Sequence, residues 1–326
     1  MTTVVASLSS FLDSVGEFFS KLADINWLAM IAGLIAFGIY LTVRSRAYFN
    51  VLRAAYPKET FPFRNIWAAY VASYGFNNVI PARGGDLIKL YLVKRSIPNS
   101  SYPAVGSSIF VEVIFDLVMG SIILTYAFTQ GVFPKPPDFS DLDAFDLSFF
   151  ASHPQFTLFL LTALGILVMV GFALLSRRVR AFWARVRQGI TIVFDRRRYF
   201  REVFLVQLGA WVFRCTAFWF LLEAFHIGGS VRNVLLVLGT NAVASAVPFT
   251  PGGAGVQQAL LIKVFAGATS AEAVAAFSVG QQIAIAAFSF AVGFGALAVV
   301  FRIRSFKEVR RLGREDRAAE AAAAKS

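Results

Sequence analysis

Metal and disulfide chemistry have little to work with in this chain, which holds one cysteine and two histidines. Cys215 stands alone inside an apolar run, which excludes a disulfide or a thiolate metal site within one chain. His153 and His226 sit at the edges of apolar runs, so neither a histidine metal centre nor a catalytic triad is expected. Charge is scarce too: Asp, Glu, Lys and Arg make up 15% of the residues, well below a soluble domain. The Gly-rich stretch 248–255 lacks both a preceding soluble strand and the closing Lys-Ser/Thr of a nucleotide loop, and no cofactor is expected. No charged segment precedes an apolar core at the N-terminus, so no cleavable signal is expected. Residues 8–22 read instead as a short amphipathic helix at a membrane interface.

What the chain has in excess is apolar surface. Hydrophobic residues make up 57% of it, and 35 residues are Phe. Long apolar runs recur at Trp27–Val43, Val105–Phe128, Phe156–Leu175, Val203–Phe225 and Ala273–Phe301. Each approaches or exceeds the ~20 residues a helix needs to span hydrocarbon. The expected fold class is therefore all-α, a polytopic helical membrane protein. The net charge of +12 does not indicate nucleic acid, because the basic residues cluster between the apolar runs as cytoplasmic loops do.

That clustering sets a topology. Arg44, Arg46, Arg53, Lys58 and Arg64 follow the first run and place the loop they form in the cytoplasm. The loop after Phe128 has Lys135 as its basic residue and falls outside; 177–201 is dense in arginine and falls inside, as does the basic tail after Phe301. These assignments leave 64–104 and 231–271 without a net crossing. Each is broken by Pro and paired Gly, at Pro81 with Gly84-Gly85 and at Pro251-Gly252-Gly253. Broken backbone at membrane depth is tolerated where protein or a polar cavity satisfies it, which marks a transporter's central site.

The two stretches are copies. Arg64-Asn65 precedes Gly85 by 21 residues, and Arg232-Asn233 precedes Gly253 by the same 21. Glu112 similarly maps onto Gln281. Since the copies enter from opposite faces, two re-entrant broken-helix hairpins forming an inverted repeat are expected. The chain divides into an interfacial segment 1–26, a first membrane repeat 27–128, a linking section 129–201, a second repeat 202–301 and a tail 302–326.

The candidate site gathers around the breaks. Arg83, Asp86 and Lys89 follow Asn78 at the Gly84-Gly85 break, where Arg83 can grip a phosphate through its planar fork beside a short helix N-terminus. A plain ion pair that tolerates the broken backbone is the alternative. Glu112 and Asp116 are four apart in an apolar run and share a helix face. They can neutralise Arg83, Lys89 or Arg214, carry a proton, or act as a general acid/base pair. Gly252 and Gly253 form the second turn, with Gln258, Gln281, Gln282, Arg214 and Glu223 as further lining candidates. Residues 177–198, interleaved with Phe182, Trp183, Ile190 and Phe194, read as a basic amphipathic helix on anionic lipid.

Asn78-x-x-Pro81-Ala82-Arg83-x-Gly85-Asp86, then Glu112 with Asp116, then Pro251-Gly252-Gly253-Ala254-Gly255-Val256 resemble a flippase-like membrane family. That family includes the N-terminal membrane domain of lysylphosphatidylglycerol synthases, and the resemblance covers about residues 25–302. It implies a bacterial or archaeal plasma-membrane protein that moves a polar or phosphate-bearing lipid between leaflets. Asp86 and Lys89 stand where the family more often has Glu and Arg, Val113 where Arg is common, and Gln257-Gln258 in place of an acid. The soluble transferase domain of the full synthases is not in the sequence, so lysyl transfer is not expected. A lipid-modifying enzyme using Glu112 and Asp116, or a non-transporting partner of a lipid synthase, are the rival readings; assembly as a homo-oligomer is compatible with all three.

Overall fold

A computed structural model describes residues 24–78, 84–130, 182–245, 256–266 and 269–302. Phe156–Leu175, the 8–22 segment, the tail beyond 302 and both proline breaks lie outside the described residues. The described regular structure is helical, with one isolated bridge between Ala266 and Thr269.

Helix α1, Trp27–Ala55, is capped by Asn26, whose side chain accepts from the Ala29 N–H at 3.2 Å. It does not stop at Val43 and give way to a basic loop, as expected from the sequence. Tyr48, Val51, Leu52 and Ala55 continue the apolar face past Arg44, and no breaker intervenes before Pro57. Next come α2 (Phe63–Asn77), α3 (Gly85–Ser96) and α4 (Tyr102–Thr129). Three short pieces follow: α5 (182–189), α6 (Thr191–Phe194) and α7 (Arg196–Tyr199). A π-helical turn, Phe200–Phe204, leads into α8 (Leu205–Ala224). Then come α9 (Val231–Ser245), α10 (Val256–Val264) and α11 (Ala271–Ala296), which runs on through a π turn to Phe301.

Among the described residues, four helices are long and apolar enough to cross a membrane: Trp27–Ala55, Tyr102–Ala127, Arg196–Ala224 and Ala271–Phe301. Between them α2 and α3 have 15 and 12 residues, too few for a full crossing, and the described parts of α9 and α10 have 15 and 9.

The long helices α1 and α8 pack antiparallel. The Asn26 N–H donates to the Ala224 carbonyl at one end (2.9 Å), and Asn50 Nδ2 donates to the Glu202 carbonyl at the other (2.8 Å). Across the middle, Gly33 lies against Ala217 and Leu221. Helix α2 runs along α11 through a glycine seam. A Cβ on Gly75 would fall 2.5 Å from the Ser289 carbonyl oxygen, and one on Gly293 2.8 Å from that of Val71. Small residues let backbones approach where lipid supplies no hydrophobic drive. Helix α9 lies against α4, with Arg232 Nε 3.3 Å from Gln130 Oε1.

These contacts sort the ends of the bundle. Asn99 donates to Glu59 (3.1 Å) and the Ser101 N–H to the Tyr56 hydroxyl (3.3 Å). The α2–α3 hairpin thus leaves and returns beside the C-terminus of α1. Burial raises the Tyr56 phenol above its ordinary 10.0, keeping it a neutral acceptor there. At the opposite end, His226 Nε2 lies 3.1 Å from the Asp24 carbonyl and Phe225 packs on Phe277 at 5.8 Å. Both α9 and α11 begin at that end.

The arginine-rich segment is several short helices rather than one. It is pinned to the bundle: Gln188 Nε2 donates to the Ala55 carbonyl (3.0 Å), and Ser107 Oγ to the Val186 carbonyl (2.9 Å). Phe182, Trp183, Phe194 and Phe200 stay exposed, with the Arg187 guanidinium 5.2 Å from the Phe194 ring centroid. Replacing Arg185, Arg187, Arg196 and Arg197 with Gln should weaken binding to anionic vesicles by ~1 kcal/mol per residue. Sedimentation with phosphatidylglycerol against phosphatidylcholine vesicles checks this, and equal loss on both would refute it.

Candidate functional site

Arg44 is the centre of an ion cluster buried between α1, α2, α3 and α4. It is 7% exposed, and its Nε donates to the Tyr70 hydroxyl at 2.7 Å and its Nη1 to the Tyr40 hydroxyl at 3.2 Å. Its Nη2 pairs with Asp116 Oδ2, and Nε lies 3.9 Å from Glu112 Oε1. Lys89, also buried, sets Nζ 3.4 Å from Glu112 Oε2 and 4.0 Å from Asp86 Oδ1. The same ammonium faces the rings of Tyr48 and Tyr70 at 5.1 and 4.9 Å. Asp86 Oδ1 accepts from Ser73 Oγ and Asn77 Nδ2, both at 3.1 Å. Glu112 thus lies between two cations, which offset its charge in an apolar setting.

Local sequence makes this geometry. Glu112 and Asp116 do share one face of α4, and that face meets Arg44. Gly85 opens α3 so tightly against α2 that a Cβ would fall 2.2 Å from the Ser73 carbonyl oxygen and 2.7 Å from Asn77 Oδ1. Gly84 precedes it as the N-cap, and Asp86 lies in the first turn, where a negative charge suits the helix dipole. Gly85→Ala should push α3 off α2, costing ~1–3 kcal/mol by overpacking. A lower unfolding midpoint in detergent, with wild-type secondary structure at 20 °C or about that temperature, is the expected readout.

Other candidates fall elsewhere. Arg83, Gly252 and Gly253 lie outside the described residues. Asn78 Nδ2 donates to the Tyr74 carbonyl at 3.0 Å, finishing α2. Arg214 forms no ion pair among the described residues; its guanidinium stacks 4.8 Å from Trp211 and 5.8 Å from Tyr40. Gln258 donates to Gln282 at 2.8 Å. Gln281 is 1% exposed, and neither of its amide atoms has a partner among the described residues. Glu223 is a correction: it is exposed and accepts from the Gly229 N–H at 2.7 Å, capping the turn after α8 at the end of the bundle. Sequence reasoning took Arg44 for a loop residue and missed Tyr40, Tyr48 and Tyr70. The available signal was the apolar period that continues past Arg44 to Ala55.

Long apolar helices with a charge cluster buried beside two short ones define a multi-pass membrane protein. The chain belongs to the family described as the lysylphosphatidylglycerol synthase TM region, which it matches over residues 2–293. It is also 26% identical to "Glycosyltransferase AglD" of Haloferax volcanii, across 79% of this chain and 46% of that protein. The chain thus spans about half the length of this curated relative. No solved structure matches it.

Proposed function

We propose that the chain is a lipid translocase that carries a phosphate-bearing headgroup between the leaflets of a plasma membrane while the acyl chains stay in lipid. The observation that carries this is the charge cluster of buried Arg44, Lys89 and Glu112 with half-buried Asp86 and Asp116. Charges inside a membrane protein are expensive and by default functional. Here they stand beside helices too short to cross. Family membership supports the reading. Arg83, next to Gly84 in sequence, is the phosphate ligand in this proposal. Reconstituted liposomes carrying a fluorescent, chemically quenchable phospholipid test it directly: translocation no faster than in protein-free vesicles would refute it.

The hairpins α2–α3 and α9–α10 act as re-entrant elements of an inverted repeat. The first begins and ends beside Tyr56, and the second belongs to the end marked by Asp24 and His226. Arg53, Arg95 and Arg187 at the Tyr56 end support a cytoplasmic placing of that end and of the C-terminus. In a Cys215→Ser background, cysteine at Ser100 should label from the cytoplasm and cysteine at Ser270 from outside. Labelling of both from one side would remove the inverted repeat.

Glu112, held between two cations, suits charge balance better than general acid catalysis. The name of the relative, a glycosyltransferase, supports a second reading, in which the chain serves a lipid-synthesis enzyme beside it. Wild-type lipid synthesis in extracts alongside loss of translocated product in intact cells would favour transport over partnership.

A further inference from the structure

The two halves carry their cations differently. Arg44 is the eighteenth residue of Trp27–Ala55, and Arg214 the nineteenth of Arg196–Ala224, two segments of 29 residues each. Arg44 has Glu112 and Asp116 within its reach. The positions 169 residues after those two acids are Gln281 and Ile285. The second half has kept the guanidinium and has neutral residues where the first has carboxylates.

What surrounds Arg214 is left open in one chemical sense. Gln207, Trp211 and Arg214 fall at i, i+4 and i+7 on α8, hence along one stripe. Gln207 is 1% exposed and Trp211 6% exposed, yet both Gln207 amide atoms and Trp211 Nε1 lack partners among the described residues. Buried donors without acceptors are costly and rare. The other guanidinium, Arg44, stands across Tyr40, donating to its hydroxyl while Arg214 faces its ring. Like charge there adds repulsion rather than relief.

We infer that Arg214 with the Trp211 indole N–H forms a second binding site for a phosphate group, one borne by a lipid. A guanidinium and an indole N–H only donate, and a phosphate oxyanion only accepts. The amide of Gln207 extends the donor stripe by one turn. That the phosphate arrives on a lipid rests on the translocase reading; the anion chemistry of the site does not.

The test counts bound lipid by native mass spectrometry on protein in dodecylmaltoside, in roughly 0.5 M volatile salt to screen the exposed arginines. The probes are phosphatidylglycerol, diacylglycerol lacking the phosphate, and inorganic phosphate lacking the lipid. Saturable phosphatidylglycerol binding is expected, at least about tenfold weaker in Arg214→Gln, as loss of a charge-assisted contact implies. Trp211→Phe, which keeps the ring but removes the N–H, should bind several-fold more weakly and keep its fold. Wild-type affinity in Arg214→Gln overturns the site, and so does wild-type affinity in Trp211→Phe should the arginine variant not fold. Equal uptake of diacylglycerol, or displacement by equimolar inorganic phosphate, overturns the lipid-phosphate assignment. Binding is read at equilibrium without transport, so a failed translocation assay and a failed binding assay remain distinguishable.

Discussion

Arg44→Met is expected to destabilise the protein by about 3 kcal/mol, the lower end of the cost of breaking a buried ion pair, because Asp116, the partner left uncompensated, is half-exposed. On a chain of this size that lowers the unfolding midpoint by on the order of 10 °C. The side chain serves Tyr40, Tyr70 and Asp116 at once and stands 3.9 Å from Glu112. Glu112 keeps Lys89 when Arg44 is lost, whereas Asp116 keeps no ion pair among those described. Arg44→Met combined with Asp116→Asn should therefore recover most of the loss. Arg44→Lys retains the charge but cannot reach three partners from one ammonium, so it should fall between. A midpoint for Arg44→Met within 2 °C or so of wild type would show that the cluster does not hold the fold.

Arg83 should show the converse pattern, with transport lost and the fold kept. Loss of a charge-assisted contact to phosphate is worth about 1.5–3 kcal/mol, which slows translocation by roughly 10- to 100-fold. Arg83→Lys keeps the charge without the planar fork and should also be slow if recognition is bidentate. Glu112 and Asp116 are candidates to neutralise Arg83, in which case losing Arg83 would call for Glu112→Gln as a second change to rebalance charge. Arg44 and Lys89 already meet those carboxylates, so Arg83→Ala is expected to stay monodisperse without that second change. Normal translocation by Arg83→Ala in the quenchable-lipid assay would remove its proposed role.

The all-helical class and the four long spans among the described residues were legible because apolar runs of membrane length have few other uses. Glu112 and Asp116 were legible for the same reason: two acids four apart in such a run have to face something. Their main partner was not legible. Arg44 sits where a span of minimal length would end, and the positive-inside pattern explains it equally well as a loop residue. Only the continued helix turns it inward, onto tyrosines whose sequence positions carry no mark of their own. Glu223 misled in the opposite way: an acid near the end of a span looked like lining and proved to be a turn cap.

Tyr40 gives the joint between the two halves a mechanical character. Its hydroxyl is fixed on Arg44, whereas its ring meets Arg214 only face-on, with the guanidinium 5.8 Å from the centroid. A cation over a ring face tolerates sideways displacement that a directed hydrogen bond or a forked ion pair does not. The joint is therefore graded: directed hydrogen bonds from Asn26 to Ala224 and from Asn50 to Glu202 fix α8 on α1 at its two ends, and the Tyr40–Arg214 contact between them is the one that tolerates displacement.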